Sequence, residues 1–429
     1  MSHPVSPICE KLILFLLEAF LAEPATSERD DVARQGAVLL MGTLAKRMEP
    51  ADPKVSQVLD RLLEALQTPS EVVQRTVALS LAELFSGDSL KRRAEQYVDP
   101  LLATLLQTAS YAERRGAAFG LAGVCKGVGL TSLKRYGVML ALARALDEKK
   151  RGEAEANARE GALNAYECLC ESFGRLFEPY VTAILPLLLS CVADGSGSVR
   201  HAAMSASQAI MGQLSAQGVK LVLPSLLLAL GEDKWRTKHA AVELLGAMAY
   251  CAPRQLSRTL PQVVPALTSV LTHAHPRVVE GAKSALESVG AVIRNPEISE
   301  IVPTLMHALA EPDTRTTAAL DVLAHCEFEH CVDAPSLALI VPLLRRGLRE
   351  RGGHAKRKTA HIAGNMCSLL SERGDIVPYL GMLLPELQAV LLDPIPEVRS
   401  TGGKALGQVR ESHTRAHHRV EHGPPRPPL

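Results

Sequence analysis

The sequence predicts an all-α protein built as an α-solenoid, a superhelix of about ten stacked helical hairpins. Three observations support this fold class: prolines that recur in near-identical apolar settings, basic residues that recur in step with them, and a scarcity of aromatic side chains. Aromatic residues make up 3% of the 429 residues, whereas hydrophobic residues make up 47%. This composition is typical of a core made from layers of Leu, Val and Ala, in which stacked repeats bury one another's apolar faces.

The recurring prolines mark the first helix of each repeat. Each proline stands in an apolar stretch that is followed by a short polar turn and an Ala-rich helical stretch. The six positions are Pro186, Pro224, Pro265, Pro303, Pro342 and Pro385. Successive positions are 38 to 43 residues apart. A period of about 40 residues is typical of HEAT and armadillo arrays.

A series of basic residues marks the second helix and carries the repeat further toward the N-terminus. Its members are Arg34, Arg75, Arg115, Arg159, Arg200, Lys238, Arg315, Arg357 and Arg399, with Val279 at the one step that lacks a cation. The two series together predict ten units of about 40 residues each. We therefore expect one repeat array with a continuous core over residues 1–409.

The repeat around Pro186 shows the helical pattern in detail. Residues 181–193 are nearly all apolar, which predicts a buried first helix that Pro186 kinks but does not end. Residues 194–198 have turn chemistry, and Ser198 is the predicted N-cap of the second helix. The predicted apolar stripe of that second helix is Val199, Ala202, Ala203, Ala206 and Ile210.

Residues 410–429 differ in composition from the repeats before them. They hold four of the 14 histidines and four of the 27 prolines, and they show no helical stripe. We interpret this segment as a disordered tail.

Charge and hydropathy restrict the classes of function. The chain carries 47 Lys and Arg against 46 Asp and Glu, so any binding to nucleic acid must come from local patches. No apolar run approaches the roughly 20 residues that a bilayer span needs, so we expect no membrane partner. The nine cysteines lack the spacing of a disulfide framework, which favours a reducing compartment and predicts a soluble, cytosolic protein.

The sequence predicts no enzyme and no cofactor. It contains no phosphate-binding loop, nucleophile elbow, zinc-protease helix or kinase signature. The Gly-rich stretch 120–129 lacks a preceding strand, and close packing at a helix end explains its glycines better than dinucleotide binding does.

Two cysteine-containing segments have a chemical and a structural interpretation. His325, Cys326, His330 and Cys331 fall within seven residues and are ligand types that zinc accepts. One short segment rarely surrounds a tetrahedral ion, so the sequence favours buried Cys and surface His at a helix end, with no metal. Cys168 and Cys170 are two residues apart and face different sides of a helix, which favours core thiols over a redox pair.

A first basic patch is a candidate binding surface. Its members are Arg345, Arg346, Arg349, Arg351, Lys356, Arg357 and Lys358. With only Glu350 against them, they give a local net charge of +6 on either side of the turn at residues 352–353. Long cations on one edge suit phosphate contacts. The alternative is a solvated helix end that the helix dipole favours.

A second basic segment contains the only tryptophan of the chain. Its candidate residues are Lys234, Trp235, Arg236 and Lys238. An indole beside cations in a turn can stack on a nucleic-acid base. Packing of the indole into the groove between repeats is the alternative that the sequence favours.

Several strings carry a resemblance to a known family. They include YAERRGAAFGLAGVCKGVG (111–129), GVKLVLPSLLLAL (218–230), WRTKHAAVELLGAMAYCAPRQLS (235–257) and LLDPIPEVRS (391–400). These strings closely resemble the central block of the large eukaryotic HEAT-repeat translational activators of general amino-acid control. That block is in turn similar to the HEAT domain of fungal elongation factor three. The resemblance is dense over residues 90–409.

This resemblance implies a HEAT-repeat scaffold that is not an enzyme and that sits on ribosomes in the cytosol, associated with polysomes. Members of the family promote activation of the kinase that phosphorylates the alpha subunit of initiation factor 2, during amino-acid starvation or ribosome stalling. The implied partners are the ribosome, through rRNA and ribosomal proteins, and an ABC-type ATPase. The family's kinase-binding segment lies C-terminal to this block, so we expect contact with the kinase only through segments outside the chain.

A HEAT-repeat adaptor of another class is the alternative function. Nuclear transport receptors and phosphatase scaffolds share this architecture. Transport receptors tend to be strongly acidic, and the net charge of +1 argues against that class here.

Overall fold

The computed structural model describes residues 7–22, 28–49, 52–147, 152–251, 253–370 and 372–421. These residues are helical nearly throughout, and their only β-type pairing is an isolated parallel bridge between Val332 and Leu370. The predicted all-α fold is confirmed. By contact, the chain divides into two compact units, Met1–Gly218 and Val219–Leu429.

The first unit contains five consecutive helical hairpins among its described residues. Its helices are α1 (Pro7–Ala22), α2 (Glu28–Arg47), α3 (Pro53–Ala65), α4 (Glu71–Leu84), α5 (Asp88–Arg93), α6 (Glu95–Gln107), α7 (Tyr111–Val128), α8 (Ser132–Arg135), α9 (Val138–Asp147), α10 (Glu153–Phe173), α11 (Glu178–Cys191) and α12 (Gly197–Gln213). The hairpins pair α1 with α2, α3 with α4, α6 with α7, α9 with α10, and α11 with α12. The short helices α5 and α8 and a 3-10 turn at Gly174–Phe177 lie in connections between repeats.

The second unit continues the same order of helices. They are α13 (Ala216–Leu230), α14 (Trp235–Cys251), α15 (Pro253–Ser269), α16 (Pro276–Gly290), α17 (Pro296–Ala310), α18 (Pro312–His325), α19 (Ala334–Arg349), α20 (Gly353–Ser368), α21 (Val377–Val390) and α22 (Pro396–Glu421). The unit boundary falls within α13. Two 3-10 turns, Val270–Thr272 and Arg373–Ile376, precede α16 and α21.

Both repeat series fall where the sequence predicts them. The six prolines lie inside α11, α13, α15, α17, α19 and α21, and each of these helices continues past its proline. The basic series and Val279 lie, one per helix, in α2, α4, α7, α10, α12, α14, α16, α18, α20 and α22. Rows of second helices pack side by side, as α2, α4, α7, α10 and α12 do in the first unit.

The repeat around Pro186 has the predicted core and a different N-cap. All five residues of the predicted stripe on α12 are buried. The N-cap is Ser196 and not Ser198. The reason is the carboxylate of Asp194, whose Oδ1 accepts the backbone N–H of Ser196 at 2.8 Å and fixes the turn two residues earlier.

Glycines on α7 allow it to pack unusually close to its neighbours. A Cβ at Gly116 would lie 1.9 Å from the backbone oxygen of Leu66, and a Cβ at Gly123 would lie 2.4 Å from that of Ala78. Gly127 has the same relation to Ala82, at 2.5 Å. The Gly-rich stretch therefore serves helix packing, as the sequence favoured.

The C-terminal segment differs from the predicted tail. Helix α22 continues to Glu421, so residues 410–421 are helical, while residues 422–429 lie outside the described part of the chain. The prediction of disorder rested on the composition of 410–429 as a whole. However, the four prolines and the glycine of this range all follow residue 422. Residues 410–421 contain no helix breaker.

Within the described residues, none of the helices combines the length and the apolar character needed to cross a bilayer.

Candidate functional site

The only tryptophan packs between two neighbouring repeats. Trp235 opens α14, and its indole stacks on the imidazole of His275, with ring centroids 3.7 Å apart and planes 10° apart. His275 directly precedes α16 of the following repeat. His239, one turn along α14, meets the indole edge-on at 6.4 Å. Trp235 is half-buried, which agrees with packing between repeats.

Cations from both repeats surround this stack. The guanidinium of Arg236 lies 4.8 Å from the centroid of the indole, and Lys234 and Arg236 are exposed. His273 and Arg277 approach from the following repeat, and His273 Nδ1 accepts the backbone N–H of His275 at 3.0 Å. We define the Trp235 cluster as Lys234, Trp235, Arg236, Lys238, His239, His273, His275 and Arg277.

No ion pair neutralises the Lys and Arg side chains of the Trp235 cluster in the described part of the chain, although Glu232 and Asp233 directly precede Lys234. The cluster's only acidic contact among the described residues is Glu243, 3.7 Å from His239. Partial burial lowers the pKa of His275, and the charges of Arg277, His273, His239 and Arg236 lower it further. An anion placed here would relieve this repulsion.

Sequence reasoning found one half of the Trp235 cluster and missed the other. His273, His275 and Arg277 carry no local motif. The signal that identifies them is the repeat period, since His275 follows Trp235 by 40 residues. One full period brings a residue to the equivalent place in the next repeat, so the two lie side by side.

The patch at residues 345–358 is largely neutralised in the folded chain. Arg345 and Arg349, on the last turns of α19, both contact Glu386 of α21, at 3.4 Å and 2.7 Å from their Nε atoms. These bonds, that of Arg349 first, lower the pKa of Glu386. Arg346 instead donates to the backbone oxygen of Ala308, in α17, at 3.1 Å.

The lysines and arginine on α20 are paired as well. Lys356 contacts Asp393 and Arg357 contacts Glu397, each at 2.7 Å, and Lys358 contacts Asp321. Of the seven cations, Arg351 is the one that is exposed with no partner among the described residues.

The predicted local charge of +6 is therefore wrong for the folded surface. Four carboxylates from neighbouring repeats join Glu350, so seven cations face five carboxylates. The partners stand about one repeat away in the sequence, and a count of local charges misses them.

One of these contacts belongs to the fold itself. Lys356 and Asp393 reproduce a pair in the first unit, Arg159 and Asp194, whose Nε and Oδ2 atoms are 3.0 Å apart. In both places an arginine six residues after the aspartate, Arg399 or Arg200, donates to the aspartate's backbone oxygen at 2.8 Å. Lys356 thus joins adjacent repeats at their hairpin turns.

Comparison with known protein families agrees with the repeat architecture. The family described as "EF3 N-terminal HEAT repeat" matches residues 114–286, and "Elongation factor 3/GNC1 HEAT repeat" matches residues 314–420.

Curated relatives match nearly the whole chain. It is 51% identical to Protein ILITYHIA of Arabidopsis thaliana, and 48% identical to the Stalled ribosome sensor GCN1 of Homo sapiens. It is 38% identical to the eIF-2-alpha kinase activator GCN1 of Saccharomyces cerevisiae. These alignments cover 93%, 92% and 91% of the chain and 15%, 14% and 14% of the respective relatives. The chain is a GCN1-like HEAT-repeat region.

The His- and Cys-containing segment of this GCN1-like region forms a structural contact. Glu297 Oε1 accepts His330 Nδ1 at 2.7 Å and the backbone N–H groups of Glu329 and His330 at 3.2 Å each. These bonds, that of the His330 ring first, lower the pKa of Glu297 to about 2. Glu297, Glu329 and His330 line one side of an open cavity of about 810 Å³ between α17 and α18.

No metal site is evident in the part of the GCN1-like region that the structure describes. It contains no group of three or more His, Cys, Asp or Glu side chains placed to share an ion. The expectation of buried cysteines in this segment is wrong, because Cys331 is exposed and Cys326 is half-buried. Cys168 and Cys170 are buried, and burial raises the pKa of each thiol to about 12, which agrees with their interpretation as core thiols.

Proposed function

We propose that this GCN1-like region is a non-enzymatic scaffold that associates with ribosomes in the cytosol and acts in translational control. The observation that carries the proposal is the 38–48% identity, over more than 90% of the chain, to proteins named for sensing stalled ribosomes or activating the eIF-2-alpha kinase. Because the chain spans 14% of these relatives, the proposal concerns one docking element of such a protein.

The same identity favours this function over a transport receptor or a phosphatase scaffold. The family resemblance supports further partners, namely rRNA and ribosomal proteins and an ABC-type ATPase. It also supports promotion of kinase activation during amino-acid starvation or ribosome stalling, through segments C-terminal to this block in the family.

The Trp235 cluster is the proposed ribosome contact in the second unit. Phosphate binding needs cations that are accessible and unpaired, and Lys234, Arg236 and Arg277 meet both conditions, while Lys238 is half-buried. The stacked Trp235 and His275 rings present an aromatic edge between the cations. Of the patch at 345–358, Arg351 is the member best placed to add a contact.

Co-sedimentation with purified 80S ribosomes tests this proposal. The chain should pellet with ribosomes at 50 mM KCl and stay in the supernatant without them. If four phosphates are contacted, raising KCl to 200 mM should weaken binding roughly 100-fold, since log K falls by about 0.9 per contact per log unit of salt. Absence of pelleting at 50 mM, or pelleting unaffected by salt, would contradict the proposal.

A further inference from the structure

The connections between repeats in the first unit carry an excess of positive charge. Three successive connections, residues 87–94, 129–137 and 174–177, contain six Lys and Arg residues and a single carboxylate, Asp88. Lys126, on the last turn of α7, adds a seventh cation. We call these seven residues the connection edge: Lys91, Arg92, Arg93, Lys126, Lys134, Arg135 and Arg175.

Contacts between the connections place these cations on one contiguous surface. The hydroxyl of Tyr136, just after α8, donates to the backbone oxygen of Lys91 in α5 at 3.4 Å. The Lys126 Nζ atom lies 5.4 Å from the ring centroid of Phe173, which directly precedes the turn that holds Arg175. Consecutive connections are thus in contact, and their charges add.

The connection edge is held in a fixed shape by buried anchors. Leu133 of α8 is fully buried, and Ser132 Oγ donates to the backbone oxygens of Gly129 and Cys125, at 2.6 Å and 3.2 Å. Gly129 and Gly137 bracket α8 with φ of 109° and 64°, conformations that favour glycine. A rigid support reduces the entropy that these side chains lose on binding.

The cations of the connection edge lack the partners that neutralise the patch at 345–358. None of the seven forms an ion pair with a carboxylate within the described ranges. Six of them are exposed, and Lys91 is half-buried. Helix dipoles do not account for the five cations of α5 and α8, because these helices have only six and four residues.

Positive charge is also not a general property of the connections. The connection at 326–333 in the second unit contains Glu327, Glu329 and Asp333 and neither Lys nor Arg. The excess is therefore specific to the repeats around α5 and α8.

We propose that the connection edge binds the phosphate backbone of RNA. Four of its seven cations are arginines, which grip phosphate through two parallel hydrogen bonds. A protein partner would be expected to meet an apolar centre with few charges. Leu176 is the only large exposed apolar side chain in the three connections, so phosphate is the better match. This inference extends the proposed ribosome association and is tested on naked RNA, so that the two can fail separately.

Fluorescence anisotropy with a labelled RNA stem-loop tests the inference on the full chain. Two variants remove parts of the edge, Lys91/Arg92/Arg93→Ala and Lys134/Arg135→Ala. A matched control, Arg47/Arg144→Ala, removes two exposed cations that lie elsewhere in the same unit and form no ion pair among the described residues. Circular dichroism melts confirm that each variant folds.

The triple variant should weaken binding at least 10-fold at 100 mM KCl and reduce the salt slope by between about 2 and 3, as expected for three lost phosphate contacts. The double variant should weaken binding by about 5-fold or more, and the control by less than about 2-fold. Equal losses in the edge variants and the control would overturn the inference. It would also be overturned if poly-glutamate of matched charge competed as well as unlabelled RNA, because the edge would then fit an acidic protein.

Discussion

At the scale of residues, ion pairs join several neighbouring repeats. The contact between Glu297 and His330 is a further pair, and it responds to pH near neutrality. This contact raises the pKa of the His330 imidazole, chiefly through its hydrogen bond to Glu297. A raised pKa means that the stabilisation is fully present below the ordinary histidine pKa of about 6.5. The stabilisation is lost as the pH rises through the pKa of the folded state. On the acid side Glu297, with a pKa of about 2, keeps its charge.

We therefore expect the connection at 326–333 to loosen between pH 6 and pH 8.5. Hydrogen exchange measured by mass spectrometry should show faster exchange at Glu329 and His330 at the higher pH, after correction for intrinsic rates. The variant His330→Ala should exchange rapidly at both values. Equal corrected protection at both pH values in the unaltered chain would contradict this expectation.

Contacts between individual side chains were the feature least predictable from the sequence. Trp235 was recognised, and its packing was anticipated, because a lone indole in a turn is distinctive. The carboxylates at 386, 393 and 397 were not connected with the basic patch, because they are 37 to 41 residues from the cations they neutralise. Charge in a solenoid has to be counted across neighbouring repeats.

At the scale of elements, the close contact between α4 and α7 depends on glycine. Gly123→Ala places a Cβ 2.4 Å from the backbone oxygen of Ala78, which cannot move aside as a flexible side chain can. We expect this substitution to lower the free energy of unfolding by about 1–3 kcal/mol. Chemical denaturation monitored by circular dichroism measures the change.

Gly36→Ala is the matched control for this substitution. Gly36 is also within a helix, α2, and no atom beyond the local backbone of that helix lies within 4 Å of the position of its Cβ. The added methyl group should leave stability unchanged or raise it by up to about 1 kcal/mol. If both variants were equally stable, the glycines of α7 would have no role in packing.

A second expectation at this scale concerns the turn aspartates. Asp393→Ala removes the contact with Lys356 and the bond from the backbone N–H of Ile395, at 3.0 Å, so the apparent Tm should fall. Glu232→Ala is the control, because Glu232 holds the corresponding turn position in another repeat, eight residues after Pro224 as Asp393 is after Pro385. Its side chain is exposed and has no partner among the described residues. Equal thermal shifts in the two variants would show that the contact of Asp393 does not join the repeats.

The positions of the helices were largely predictable from the sequence. The proline and basic series located the first and second helices because both follow the same repeat period. The end of α22 was misjudged because residues 410–421 were assessed together with the proline-rich residues that follow them.

At the scale of the whole molecule, a net charge of +1 conceals an uneven surface. Much of the positive charge is used to join repeats, as at residues 345–358. Unpaired cations gather at the Trp235 cluster and at the connection edge. Composition predicted that binding would depend on local patches, but only the folded chain shows which patches remain charged.

We expect the Trp235 cluster, rather than the paired cations of the patch at 345–358, to provide the main ribosome contact. The most direct test compares two double variants that remove the same charge, Lys234/Arg236→Ala and Arg345/Arg349→Ala, by co-sedimentation with 80S ribosomes at 100 mM KCl. The first should weaken binding about 10-fold and lower the salt slope by between 1 and 2. The second should stay within about 2-fold of the unaltered chain, since its cations already contact Glu386. A loss in the second variant equal to or larger than that in the first would contradict the account.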